Sequence, residues 1–213
     1  MSAAPAALGD FHRDASCAQK PAERLPGLFR ALFALALLAG MGLVAKGLYI
    51  PVKAGIAQIL LDRAFERSVA AGEPVKPWRW ADTAPLARIG VERLGVSEVV
   101  LSGGSGEAMA FGPTAILDDP ARRIAVLAAH RDTHFAFVRD LASGDVITFD
   151  RIDGTSTRFR VTRLETVRWD EFSVPAGDGG GLLALATCYP FGSHRPGPLR
   201  RIAWAERIAA SQS

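Results

Sequence analysis

Cys188 closes the apolar run Leu182-Leu183-Ala184-Leu185-Ala186-Thr187, and His130 closes another, Ile124-Ala125-Val126-Leu127-Ala128-Ala129. Arg200 stands just ahead of a third, more mixed run. If the three runs are neighbouring strands, all three side chains meet at one edge of a sheet. A thiol attacks as its thiolate, which at neutral pH needs a proton acceptor or a cation close by. Attack on a carbonyl creates an oxyanion, and a guanidinium is one kind of fixed donor for it. The set points to cysteine acyl-transfer chemistry.

Each member has rivals. A lone cysteine is most often a buried small hydrophobe. Cys188, however, is followed by Tyr189-Pro190 and a Gly/Pro-rich loop, which puts it at a rim rather than mid-core. His134 follows His130 by four residues; on a helix the two would share a face and suit a metal, and otherwise His134 is a polar loop or helix-start residue. His194 lies in the loop after Cys188, and His12 lies near the N-terminus. Arg195, Arg200 and Arg201 all follow Cys188, but strand alternation sends Arg200 and Arg201 to opposite faces, so only one serves the site. Asp132 either orients His130 or ties down a turn. Thr187 is strand filler or a hydroxyl aimed at substrate.

The elements that would position these residues are short strands. Leu86 to Val91, Val96 to Leu101, Ile124 to His130, Asp145 to Asp150, Thr157 to Val167, Leu182 to Cys188 and Arg200 to Ala205 have strand character. Ile152-Asp153-Gly154-Thr155 is a hairpin-turn signal between two of them. Ser102-Gly103-Gly104-Ser105-Gly106 reads as a flexible loop; it lacks the Lys-Ser/Thr ending of a phosphate-cradling loop. Residues 53 to 70 have helical spacing, with Ala57, Leu60, Leu61, Ala64 and Phe65 on one stripe. That helix packs on the domain or lies on a membrane surface. Ala71-Gly72-Glu73-Pro74 ends it, and Pro77 and Pro85 keep the next stretch extended. Many short strands with one or two helices predict an all-β barrel or sandwich.

Ala31 to Ala45 is fifteen residues without a charge; after Lys46, Gly47 to Val52 is again apolar. Fifteen is short of the roughly 20 that a span needs, but Arg30 and Lys46 can snorkel and lengthen it. The rival is a cleaved signal peptide, whose small-x-small site is spoiled here by Leu43 in Leu43-Val44-Ala45. An uncleaved anchor is therefore expected. Flanking basic residues are balanced and do not orient it. With such a span, Cys17 and Cys188 lie on opposite sides and cannot pair. The formal charge of +3, from 25 basic and 22 acidic residues, is small and scattered, which excludes a nucleic-acid reading. Neither the cysteines nor the four histidines have metal-site spacing.

Several separated motifs then agree. Ala184-Leu185-Ala186-Thr187-Cys188 resembles the sortase signature T-L-x-T-C, with Ala184 in place of its first Thr. Ala129-His130-Arg131-Asp132-Thr133-His134-Phe135 is similar to the histidine motif of that family. Thr187-Cys188-Tyr189-Pro190-Phe191 and Gly197-Pro198-Leu199-Arg200 resemble its Gram-negative, marine proteobacterial branch, as do Val75 to Asp82 and Ala110-Phe111-Gly112-Pro113. The resemblance covers roughly residues 47 to 208. It implies a closed eight-stranded β-barrel, preceded by an N-terminal transmembrane helix. It implies His130 and Cys188 as catalytic residues, with Arg200 as the arginine at the start of the last strand. It implies a cysteine transpeptidase working through a thioester, without metal or organic cofactor.

The partners so implied are a secreted protein with an LPxTG-like C-terminal sorting signal, an amine acceptor, and membrane lipid around the anchor. The resemblance also implies an N-terminus inside and a site on the periplasmic side of the inner membrane. The expected layout is a disordered cytoplasmic tail (1–27), an anchor (28–52), a helix and extended linker (53–85) and a catalytic domain (86–208). Two alternatives remain: a cysteine hydrolase that releases the acyl group to water, and a non-catalytic anchored β-domain with a structural Cys188.

Overall fold

The computed structural model describes residues 27–175, 180–193 and 195–209. Two compact units divide between Leu48 and Tyr49. The first described element is one helix, α1, Gly27–Ala71. Its N-terminal half is apolar and exposed, and α1 is long and apolar enough to cross a membrane. Ala31 to Val52 at 1.5 Å per residue gives about 33 Å, close to a hydrocarbon core of about 30 Å. Gly27 opens α1; the remainder of the expected tail lies outside the described residues.

The sequence suggests an anchor and then a separate helix. The structure instead carries α1 unbroken through Pro51 to Ala71. Gly72, at φ +70°, supplies the left-handed residue that ends it. Ala57, Leu61, Ala64, Phe65 and Ser68 form its buried stripe. Leu61 and Phe65 pack with Val99, Leu101, Ala108 and Ile152. The guanidinium of Arg88 donates to Asp62 at 2.8 Å and lies 4.4 Å from the centre of the Phe65 ring. The packed-helix reading of residues 53 to 70 therefore accounts for this stripe.

The barrel has eight strands: β1 Pro85–Val91, β2 Val96–Leu101, β3 Thr114–Asp119, β4 Ile124–Ala128, β5 Val146–Arg151, β6 Ser156–Arg168, β7 Leu182–Tyr189 and β8 Leu199–Arg207. They close in the order β1-β2-β3-β4-β7-β8-β6-β5. The β2–β3 and β4–β7 pairs are parallel and the rest antiparallel. All seven expected strands are present. β3 was not expected, because only Thr114 of it is buried and a bulge between Ala115 and Leu117 breaks the alternation. Within the supposed flexible loop, Ser105 caps a single helical turn, α2 (Gly106–Met109), by accepting from the Ala108 N–H at 3.1 Å.

The barrel interior holds Ile89, Val91, Val100, Leu127, Leu183 and Leu185, all fully or almost fully buried. A second apolar layer lies on the other face of β4, β7 and β8: Val126, Ala184, Ala186, Ile202 and Trp204. This is why β7 is apolar along both faces.

At the start of β5, buried Asp145 accepts from Arg93 Nε at 2.5 Å, from Arg93 Nη2 at 2.6 Å and from the Ala142 N–H at 2.7 Å. The Arg93 hydrogen bond, foremost, holds the Asp145 carboxyl below its ordinary range. A depressed carboxylate contributes stability above its unfolded pKa, and that contribution is lost as pH falls through the folded value. Asp145→Asn is therefore expected to cost about 1–2 kcal/mol at pH 7. The gap should close in strongly acid solution, where wild type is protonated too. Urea midpoints of both proteins at the two pH values check this; a gap independent of pH refutes it.

Candidate active site

β4, β7 and β8 lie side by side, as the chemistry requires. In the parallel β4–β7 ladder Ala128 pairs with Ala186. In the antiparallel β7–β8 ladder Ala186 pairs with Ile202 and Cys188 with Arg200. Directly opposed residues share a face, so Cys188 and Arg200 project together. That face is the one carrying Ala184, Ala186, Ile202 and Trp204, an apolar floor leading up to Cys188. His130 stands two residues past Ala128, as Cys188 stands two past Ala186, so both lie at the same end of adjacent strands. Cys188 is half-buried and His130 exposed.

Thr187 turns the other way. It is buried, and its hydroxyl donates to the Ala129 carbonyl at 2.8 Å. It thus stitches the residue before the nucleophile candidate to the residue before the histidine. The structure places it as a strand tie, with its hydroxyl committed to backbone.

Arg201 also turns the other way, pairing with Thr187 and donating to Thr166 Oγ1 at 3.4 Å. Arg200 Nη1 donates to the carbonyls of Gly197 and Leu199, each at 2.9 Å. Those bonds hold one side of the guanidinium, while its Nε and Nη2 make no hydrogen bond among the described residues. Arg195 is exposed in the β7–β8 loop. His194 and His12 lie outside the described residues.

The His130 turn is tied down at three points. The Phe135 N–H donates to the His130 carbonyl at 3.1 Å, and the Phe135 ring is fully buried in the barrel. His134 Nδ1 lies 2.9 Å from Glu98 Oε2 on β2, so His134 braces the turn from the side. Arg131 is nine-tenths buried and reaches across to the β7–β8 loop, donating to the carbonyls of Ser193 and Arg195. Asp132 accepts from Arg131 Nε at 3.3 Å, so it serves that bridge. Arg131 falls within the histidine motif, yet the sequence alone gives it no role. Its signal is weak, since a charged residue in a turn is normally solvated. Glu98 carries no signal at all, being brought in by the barrel's closure.

The segment between β6 and β7 supplies a wall. Phe172 and Val174 pack on the apolar floor, and Phe172 stacks on Trp204 with ring centres 5.8 Å apart. Trp204 is fixed by its Nε1–H, which donates to Glu165 Oε1 at 2.5 Å. The arrangement sets a thiol at the end of a packed apolar layer, with a guanidinium opposite it on β8 and an imidazole just past the end of β4 on its other side.

Solved structures share this fold. Sortase C-1 of Actinomyces oris is 24% identical, with a TM-score of 0.50, over 59% of this chain and 76% of that one. Sortase A of Corynebacterium diphtheriae is 19% identical, with a TM-score of 0.55, over 63% and 65%. A Clostridium perfringens sortase C, described with the C-terminal cell wall sorting motif, is 17% identical, with a TM-score of 0.53, over 74% and 90%. No curated protein matches in sequence. The sortase-domain family model matches residues 89–208, more than half of the chain, and the chain belongs to the sortase family.

Proposed function

We propose that the protein is a membrane-anchored cysteine transpeptidase, with residues 28–52 as anchor and 86–208 as catalytic domain. The pairing of Cys188 with Arg200 across β7–β8, beside the end of β4, supports this most directly. The Cys188 thiolate attacks the carbonyl carbon of a peptide bond in a sorting signal. The electron pair moves to the carbonyl oxygen, where the free side of the Arg200 guanidinium stabilises it. His130, as imidazolium, gives its proton to the departing amine as the C–N bond breaks, leaving a thioester on Cys188. His130 then takes a proton from an incoming amine, which displaces the thiolate and regenerates the enzyme. Water in place of the amine gives hydrolysis instead.

The substrate class is a secreted protein with an LPxTG-like C-terminal signal. The Clostridium perfringens relative is described with the C-terminal cell wall sorting motif, which supports this substrate class. The segments Thr187 to Phe191 and Gly197 to Arg200, with Val75 to Asp82 and Ala110 to Pro113, support the Gram-negative branch, hence an inner-membrane anchor with the domain in the periplasm.

One experiment tests chemistry and topology together. A candidate substrate is co-expressed with the full chain, and the mass of its new C-terminus is read. Added amine should appear in the product. A small membrane-impermeant thiol reagent applied to whole cells should stop the reaction by reaching Cys188. Water-terminated product at every amine concentration would make the protein a hydrolase, and activity untouched by the reagent would place the site inside.

A further inference from the structure

A cavity of about 410 Å³ lies against the part of α1 that comes after the apolar stretch. Ile56, Leu60, Trp78 and Phe111 make its walls. The walls are built: Trp78 and Phe111 meet edge to face at 5.2 Å, and Gln58 Nε2 donates to the Phe111 carbonyl at 2.7 Å. Trp80 stands at the cavity 79% exposed, and Ile56 is 54% exposed. An indole so exposed is costly in water and at home in the headgroup layer of a bilayer. The charged lining is Lys53, Asp82 and Glu107, and Lys53 makes no ion pair among the described residues.

Chain connectivity limits where this cavity can be. The apolar stretch ends at Val52, and α1 continues without a break. The buried stripe that holds α1 to the barrel begins at Ala57. Four residues of helix separate Val52 from Ile56, about 6 Å at 1.5 Å each. The headgroup layer on each side of a hydrocarbon core is about 5–8 Å deep. With α1 helical from Val52 through Ala57, the near end of the cavity, at Lys53 and Ile56, falls within that layer, while Leu60, about 12 Å past Val52, lies at its outer edge or beyond.

We propose that this cavity is a lipid site: it seats a glycerophospholipid of the surrounding bilayer whose head carries both a phosphate and a primary ammonium. The apolar walls take the upper part of an acyl chain, Trp80 lies among the headgroups, and Lys53 meets the phosphate. Asp82 and Glu107 meet the ammonium. Two carboxylates beside one lysine disfavour a purely anionic head and favour a zwitterionic one. The site lies at the end of the barrel that carries His130, since Leu101 pairs with Thr114 and Thr114 with Ala128. A seated lipid would therefore hold the catalytic end close to the membrane. The inference rests on the anchor reading of α1 and is independent of the transpeptidase reading.

The test uses the full chain in nanodiscs whose lipids are brominated near the glycerol end of the acyl chain. Wild-type tryptophan fluorescence should be quenched through Trp78 and Trp80, Trp80→Ala should lose part of that quenching, and Trp78→Phe/Trp80→Ala should lose most of it, each with an unchanged circular dichroism spectrum. After detergent extraction, ethanolamine lipid should remain bound in preference to choline lipid by native mass spectrometry, and Lys53→Gln should reduce it. Equal quenching of wild type and Trp78→Phe/Trp80→Ala overturns the proposal. So does a bound lipid population that matches the bilayer, or a peptide bearing an apolar segment that shields Trp80 where lipid does not. If alkaline carbonate strips the protein from the membrane, the anchor reading falls and this inference falls with it. If the protein stays inserted and Trp80 is not quenched, the inference alone fails.

Discussion

Cys188→Ala is expected to abolish both acyl transfer and the covalent adduct with a peptide electrophile. Nothing else among the described residues can form the thioester, because Cys188 is their sole thiol. His130→Ala should slow turnover by about 10²–10⁴-fold, the usual cost of losing a positioned acid–base group. His134→Ala should behave differently. His134 faces Glu98 on β2, away from the Cys188–Arg200 pair, and braces the turn that carries His130. Its loss should lower stability and blur the position of His130, at a smaller cost in turnover. The pH profile separates the two: His134→Ala keeps the wild-type shape with a lower plateau, while His130→Ala loses the limb that reports the imidazole. Single-turnover acylation of a fluorogenic peptide is the measurement. A His130→Ala enzyme within about tenfold of wild type, below the usual range for such a group, removes His130 from the mechanism.

The barrel was legible because β-strands buried on one or both faces leave a pattern that survives without context. β1 alternates buried and half-buried residues along its length, and β7 is apolar throughout because two layers cover it. β3 was not legible. Ile116 and Leu117 stay exposed, so no face of it was written in apolar residues; its place is fixed by pairing with β4. The join between anchor and domain misleads for a related reason. Lys46 interrupts the apolar run, yet the helix continues through it and through Pro51, whose single missing N–H is too little to end 45 residues of helix. Among the candidate residues, the strand-end positions of Cys188 and His130 were readable from the apolar runs before them. Turn residues were not. The roles of Arg131, Asp132 and His134 come from what the closed barrel brings near them, the Ser193 and Arg195 carbonyls and Glu98, and none of those neighbours is close in sequence.

Arg200→Ala is expected to slow acylation by about 10²–10³-fold, the cost of removing one oxyanion donor, equivalent to about 2.7–4 kcal/mol of barrier. Two arginines stand at the start of β8, and their consequences should differ sharply. Arg200 pairs with Cys188 and shares its face; Arg201 pairs with Thr187 and reaches Thr166 on β6. Arg201→Ala should therefore cost less than about tenfold, since a 3.4 Å contact to a neutral hydroxyl at an exposed edge carries little energy. Arg200→Lys should recover little. Arg200 uses one edge of a planar fork to hold the Gly197 and Leu199 carbonyls and leaves the other edge for the oxyanion. An ammonium has no second edge and must leave one task undone. The lysine variant should thus keep a wild-type KM for peptide while its acylation rate stays near that of alanine. Both alanine variants lose some stability at the β8 start, so rates are compared in single turnover on folded protein. If Arg201→Ala is the slow enzyme and Arg200→Ala the fast one, the oxyanion is met from the opposite face of β8, and the Cys188–Arg200 pairing is structural.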